Sequence, residues 1–283
     1  MDRLDYHPVI AVKRRNGVVD IPEVGSRQRR LCVMSRTVCP SASVSGREGR
    51  TVNILLLMMG GIGSRFGSPI PKQFTEVDGK PLFRYILDAY DGSGLIDRTV
   101  IVCNSDWIDV AKQCMERFPG RCRTDIVSGG DTRSQSVKNA ILYLKEDTGD
   151  DSCILIHDTT HPYLDRHAVE EAISMMGRYD GVTLCQREYD TCYSIDEKNV
   201  LSEIPKKSVV SGGSPEIFRF GDLYRMYSET SDEVLDGMSS AGALALNNGL
   251  RIGYVPMSVL NIKITRPGDM DLFRNLVSTY YFR

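Results

Sequence analysis

The sequence of 283 residues has no CxxC pair, no surplus of charge and no long apolar run. Each absence removes a class of function. The eight cysteines (Cys32, Cys39, Cys103, Cys114, Cys122, Cys153, Cys185, Cys192) are scattered. That spacing suits neither a zinc site nor a disulfide framework, and fits reduced thiols in a cytosol. A formal charge of −2 supplies no basic field for nucleic acid. No apolar stretch approaches the roughly 20 residues that a membrane span needs. No apolar segment follows the N-terminal charges as a secretory signal would require. What remains, 41% hydrophobic and 25% charged, is an ordinary globular composition, expected to be cytoplasmic. The length allows one large α/β domain or two small ones.

Residues 1–50 stand apart. They are rich in Arg and Ser, with RQRR at 27–30, and carry little sustained periodicity. They read as a disordered N-terminal extension, with Met34 offering a second start, or as a basic arm for a partner. From residue 51 to 283 strand-like and helix-like segments alternate. Ile54–Met59, Thr99–Cys103, Thr124–Val127, Cys153–Ile156 and Val182–Cys185 read as buried strands. Pro81–Tyr90, Ile108–Phe118, Arg133–Lys145 and His167–Arg178 read as helices. This alternation predicts an α/β domain with a mostly parallel, Rossmann-like sheet and helices on both faces. Ligands on such sheets bind at the carboxyl ends of the strands, so the motifs after Met59 and Ile156 should meet at one edge. About residues 188–213 the pattern changes to a β-hairpin with little core of its own, turning at Asp196–Asn199. A second subunit is the cheapest cover for such an arm, which predicts a homodimer. Arg251–Pro256 and Asn261–Thr265 read as further strands, and Pro267–Val277 as a closing helix.

Four constellations carry chemistry. In the first, NILLLMMGGIGSRFGSPIPKQ, a buried strand delivers Gly60, Gly61 and Gly63, with Arg65 and Lys72 behind them. Exposed backbone N–H groups and two cations suit a polyanion such as a nucleoside triphosphate. Neither common nucleotide fingerprint fits: Phe66 stands where GxGxxG needs its third glycine, and Lys72 lies between Pro71 and Gln73, not in GK[ST]. Phe66 also disfavours a nicotinamide oxidoreductase. The second, Gly129-Gly130-Asp131-Thr132-Arg133-Ser134-Gln135-Ser136-Val137, reads as a strand-to-helix turn capped by Asp131 or Thr132, or as a base and ribose pocket. The third, His157-Asp158-Thr159-Thr160-His161-Pro162, ends a buried strand. Its Asp158 could hold Mg²⁺ or cap a helix, and its His157 suits a structural hydrogen bond better than a catalytic base. In the fourth, Asn261-Ile262-Lys263-Ile264-Thr265-Arg266-Pro267, a lysine between isoleucines on a buried strand calls for an anion.

Together, in this order and spacing, these motifs make the chain from about Val52 onward resemble the cytidylyltransferases that form CDP-alcohols. Those include the 2-C-methyl-D-erythritol 4-phosphate and ribitol-5-phosphate enzymes. The resemblance implies a nucleotidyltransferase-type fold and transfer of a cytidylyl group from CTP to a polyol phosphate, with release of pyrophosphate. Details such as RFG, PKQF, Asp106-Trp107 and Lys138-Asn139 lean toward ribitol 5-phosphate as acceptor. On this resemblance Gly60, Gly61, Gly63 and Ser64 wrap the triphosphate, and Arg65 and Lys72 neutralise it. Gly130, Asp131 and Ser136 hold cytosine and ribose. Asp158 helps place Mg²⁺ and the acceptor phosphate, and Lys263 contacts the reacting phosphates. Thr191 on the hairpin reaches the partner's site, and Ser214 stands where the family has Thr before Pro.

The chemistry agrees with the residue types. The attacking phosphate oxygen is already largely anionic near neutral pH, since its second pKa is about 6. No general base is needed, consistent with the lack of a Ser–His or Cys–His arrangement. Charge neutralisation and alignment do the work. Three departures from the family gather around the acceptor: His161 replaces the Arg of HDxxRP, Lys206 or Lys207 replaces a hairpin arginine, and Leu235-Asp236 replaces TD. They keep two alternatives open, 2-C-methyl-D-erythritol 4-phosphate as acceptor and a catalytically weak CTP-binding module.

Overall fold

The computed structural model describes residues 51–61, 70–258 and 261–281. The N-terminal extension expected from the sequence therefore lies outside the described residues, as do Gly63, Ser64 and Arg65.

The elements follow one another as β1 (Asn53–Met59), β2 (Glu76–Val77), β3 (Lys80–Pro81), α1 (Leu82–Ser93), β4 (Arg98–Cys103), α2 (Ile108–Arg117), β5 (Arg123–Ser128) and α3 (Arg133–Leu144). Next come β6 (Cys153–Asp158), α4 (Arg166–Met175), β7 (Gly181–Arg187), β8 (Cys192–Ile195), β9 (Leu201–Ile204) and β10 (Val210–Arg219). The chain closes with α5 (Phe220–Glu229), α6 (Asp232–Asp236), α7 (Ala241–Asn247), β11 (Ile252–Pro256) and α8 (Pro267–Leu276).

Seven strands form one sheet in the order β11-β7-β10-β6-β1-β4-β5. Every neighbouring pair is parallel except the two made by β10, which runs against both β6 and β7. The sheet is thus mostly parallel, as the alternation predicts. The unbroken apolar run of β1 has its reason here, because both faces of the strand are covered. Leu55, Leu57 and Met59 pack with Phe83, Ile86 and Tyr90 of α1. Ile54, Leu56 and Met58 pack with Val137 and Ile141 of α3. Truncating any of the fully buried Leu55, Leu56 or Leu57 to Ala should cost about 2–5 kcal/mol.

Two sequence readings are corrected. Asn261–Thr265 is not a strand: β11 ends at Pro256, and residues 261–265 run without sheet pairing. That segment is anchored by Asn261 and Ile264, both buried, and by the Ile264 N–H donating to the Thr160 carbonyl at 2.8 Å. Lys263 is accordingly 55% exposed, not a buried strand lysine. The second correction concerns β10, which the sequence reading passed over. Gly212, Gly213 and Pro215 mask its period, and its pairing register with β7 shifts between Gly212 and Glu216. The hairpin is present as β8 and β9, a separate two-stranded sheet. Its turn is held by the Asp196 carboxylate accepting from the N–H groups of Lys198 and Val200, with Asn199 at φ 60°.

Candidate active site

The carboxyl ends of β6, β1, β4 and β5 line one edge of the sheet in that order, and antiparallel β10 brings its N-terminal half to the same edge. Met58 pairs with Asp158, so the glycines after β1 and the carboxylate ending β6 meet there as expected. No helix among the described residues is long and apolar enough to cross a membrane.

The first wall is backbone. Gln73, 4% exposed, donates from Nε2 to the carbonyls of Met59 (2.7 Å) and Gly61 (2.9 Å), fixing the exit of β1. Beside it the turn 129–132 wraps Ser136. The Ser136 hydroxyl accepts from the Gly130 N–H at 3.0 Å and donates to the Thr132 carbonyl at 2.8 Å. A Cβ on Gly129 would lie 2.8 Å from that hydroxyl oxygen, and one on Gly130 would lie 2.5 Å from the Gln135 Cβ. A side chain at either position would force the turn to shift. Thr132 is the N-cap of α3, accepting from the Gln135 N–H at 3.2 Å, and Asp131 is exposed at the rim. Ser136 is buried inside the turn, which it shapes.

Lys72 joins this wall to the C-terminal segment. Its ammonium donates to the Ile264 carbonyl at 2.7 Å. It also helps hold the Asp269 carboxyl below its ordinary range, where the backbone N–H groups of Arg266 and Thr265 are the main cause.

The second wall is made of side chains around a cleft of about 450 Å³, lined by Arg133, Asp158, His161, Glu216, Ser240 and Lys263 among others. Arg133, in the first turn of α3, bridges two carboxylates: Nε to Asp158 Oδ1 at 3.0 Å and Nη2 to Glu216 Oε2 at 3.1 Å. Lys263 Nζ stands 4.0 Å from Asp158 Oδ2. Burial alone would raise the Asp158 carboxyl, but Arg133 and Lys263 outweigh it, so the group sits below its ordinary range and is ionised. The guanidinium of Arg133 is likewise held charged against burial by the two carboxylates. Glu216, 5% exposed, also accepts from the N–H groups of Gly242 (2.7 Å) and Ala241 (3.3 Å), which docks α7 onto the cleft. The Ser214 hydroxyl accepts from the Asp158 N–H at 3.2 Å.

Behind Asp158, His157 is fully buried. Its Nε2 faces the His161 carbonyl at 2.8 Å, so that nitrogen carries the proton, and Nδ1 accepts from the Tyr90 hydroxyl at 3.0 Å. Burial lowers its pKa to about 4. It is a structural residue, as the sequence suggested. Thr191 and Lys206 are exposed on the arm. They are not among the residues lining the cleft of their own chain.

Sequence reasoning quoted Arg133 inside its motif but gave it no role, and missed Glu216 altogether. The arginine of GGDTR was a usable signal. For Glu216 there was none, since only the fold carries β10 beside β6.

A model of the family described as "IspD: 2-C-methyl-D-erythritol 4-phosphate cytidylyltransferase" matches residues 53–278. The chain belongs to this cytidylyltransferase family. It is 33% identical to the 2-C-methyl-D-erythritol 4-phosphate cytidylyltransferase of Thermotoga neapolitana over 79% of this chain and 96% of that protein. It is 27% identical to the ribitol-5-phosphate cytidylyltransferase of Lacticaseibacillus paracasei over 77% of this chain and 95% of that one. A solved 4-diphosphocytidyl-2C-methyl-D-erythritol synthase from Anaerococcus prevotii shares the fold, with a TM-score of 0.66 and 20% identity over 81% of this chain and 99% of that chain. The enzyme is thus a CTP-dependent cytidylyltransferase acting on a polyol phosphate, with an IspD-like nucleotidyltransferase fold. The sequence-based lean toward ribitol 5-phosphate is not upheld, since identity is higher to the methylerythritol enzyme. Among the leaning features, RFG lies outside the described residues, and Trp107 stacks on buried Phe74, with ring centroids 5.5 Å apart.

Proposed function

We propose that the enzyme transfers the cytidylyl group of CTP to 2-C-methyl-D-erythritol 4-phosphate. The higher identity to a methylerythritol enzyme carries this choice. Ribitol 5-phosphate is the second reading, kept by the 27% identical relative. Incubating the enzyme with CTP and equal amounts of both acceptors, and weighing the two CDP-alcohols by mass spectrometry, decides between them. A product mixture dominated by CDP-ribitol would reverse the assignment.

In this reading the triphosphate lies along Gly60, Gly61, Gly63 and Ser64, with Arg65 and Lys72 neutralising its charge. Gly130, Asp131 and the turn shaped by Ser136 receive cytosine and ribose. The acceptor occupies the side-chain cleft, its phosphate facing Lys263 and its chain near Asp158, His161 and Ser214. The anionic phosphate oxygen attacks the α-phosphorus, the bond to the β,γ-pyrophosphate breaks, and Lys72 and Lys263 stabilise the charge that builds up.

The donor set fits Mg²⁺ in one way only. No group of three acidic, His or Cys side chains gathers among the described residues. One ionised carboxylate, Asp158, does face the cleft with Oδ2 clear of the Arg133 bond. Mg²⁺ is commonly held by one or two carboxylates plus substrate phosphates. Asp158 would supply that one ligand, and the ion would offset phosphate charge.

The domain is assigned to residues 51–283 and the extension to 1–50. The arm supports a homodimer: Tyr189, Tyr193, Ile195, Val200 and Leu201 are all more than half exposed. Such a cluster of apolar side chains marks an interaction surface. Thr191 and Lys206 of the arm would then reach the partner's cleft. Sedimentation should give a dimer, and Ile195→Asp with Leu201→Asp should give an inactive monomer.

A further inference from the structure

The proton arrangement of His161 follows from its hydrogen bonds. Asn261 Nδ2 lies 3.0 Å from the carbonyl oxygen of Ser214. A carbonyl only accepts, so this atom is the amide nitrogen and the Asn261 Oδ1 is fixed on the other side. That Oδ1 lies 3.0 Å from His161 Nδ1. An amide oxygen also only accepts, so Nδ1 carries the proton. In the neutral ring Nε2 is then a bare lone pair. His161 lines the cleft; its ring interacts with both the side chain and the backbone of Asn261, and the ring nitrogen bonded to the Asn261 side chain is Nδ1.

The groups around the ring act in opposite directions, with Asp158 and Asn261 favouring its charged form. Lys263 and Arg133 present cations to the same cleft, Asp158 presents a carboxylate, and the neutral His157 lies behind the main chain. Burial first, and Lys263 second, hold the His161 imidazole below the ordinary histidine range. The cleft therefore offers two chemistries. Lys263 and Arg133 attract a phosphate, whereas the His161 Nε2 lone pair accepts hydrogen bonds and repels phosphate oxygens.

We propose that His161 Nε2 accepts a hydrogen bond from a hydroxyl on the carbon chain of the acceptor, leaving the phosphate to the cations. His161 then determines specificity by reading a hydroxyl. This rests on the polyol phosphate reading above.

Two measurements test it. In the wild-type protein a long-range ¹H–¹⁵N spectrum at pH 7.5, with His161 assigned from the signal lost in His161→Gln, should show the Nδ1–H tautomer. An Nε2–H tautomer or an imidazolium would overturn the proposal. In steady-state assays with CTP, 2-C-methyl-D-erythritol 4-phosphate and its monodeoxy analogues, His161→Phe should raise the acceptor KM about tenfold and leave the CTP KM unchanged. His161→Gln, whose amide can serve both Asn261 and the hydroxyl, should recover most of that loss. One monodeoxy analogue should be used equally well by wild type and His161→Phe. Equal losses on every analogue, or a matching rise in the CTP KM, would overturn the inference alone. No turnover by wild type with methylerythritol or ribitol phosphate would sink the acceptor reading and this inference with it.

Discussion

The wall proposed for the nucleotide and the wall proposed for the acceptor are built from different material. The first is backbone: the glycines after β1, the turn 129–132 after β5, and two buried side chains, Gln73 and Ser136, whose polar atoms face the loops that they shape. The second is a charge network, Arg133 between Asp158 and Glu216, with Lys263 and His161 beside it. A wall of backbone amides can bind any polyanion of the right length, and it constrains sequence through glycine. A wall of side chains can be retuned one residue at a time. Of the departures from the family, His161 stands in that wall, whereas Lys206 lies on the exposed arm and Leu235 is buried in the core.

Substitutions can break the comparison, beginning with the largest effect. Lys72→Ala ties to the nucleotide wall and Asp158→Ala to the acceptor wall. Each should lower turnover about a hundredfold to a thousandfold with the circular dichroism spectrum unchanged. Wild-type rates in both would show that neither wall is catalytic. Next, the two walls should separate in KM. Gly130→Ala forces the turn outward, because its Cβ would sit 2.5 Å from the Gln135 Cβ. It should raise the CTP KM about tenfold and spare the acceptor KM. Arg133→Lys loses the two-sided bridge to Asp158 and Glu216, and should do the reverse. If both variants move both constants equally, the division fails.

That division also explains what the sequence could reveal. The sheet, and the meeting of Gly60 with Asp158, were legible because β1 and β6 are continuous apolar runs ending in turn residues. The strand expected at Asn261–Thr265 failed because Ile262 and Ile264 imitate alternation while the segment pairs with no strand. Arg133 and Glu216 were illegible as a pair. They lie 83 residues apart and meet through the reversal of β10, whose Gly212, Gly213 and Pro215 hide its period.

Smaller effects belong to the scaffold behind the walls. The unfolded chain protonates His157 near pH 6.5, whereas the folded protein holds it neutral down to about 4 through burial. Stability should therefore fall as pH drops through that window, by up to roughly 3 kcal/mol, with His161 adding in the same direction. Urea midpoints at pH 7 and pH 5 should differ less in His157→Gln than in wild type. An unchanged slope would mean that His157 charges in the fold. Smallest of all, Thr132→Ala removes the cap of α3 and should cost about 1 kcal/mol, read as a lower urea midpoint.

The central claim, that one edge of this sheet joins CTP to a polyol phosphate, is tested most directly by pyrophosphate release. With CTP, Mg²⁺ and 2-C-methyl-D-erythritol 4-phosphate, the account predicts steady, acceptor-dependent release matched one for one by a CDP-alcohol. CTP binding without release, on this acceptor and on ribitol 5-phosphate alike, would contradict it.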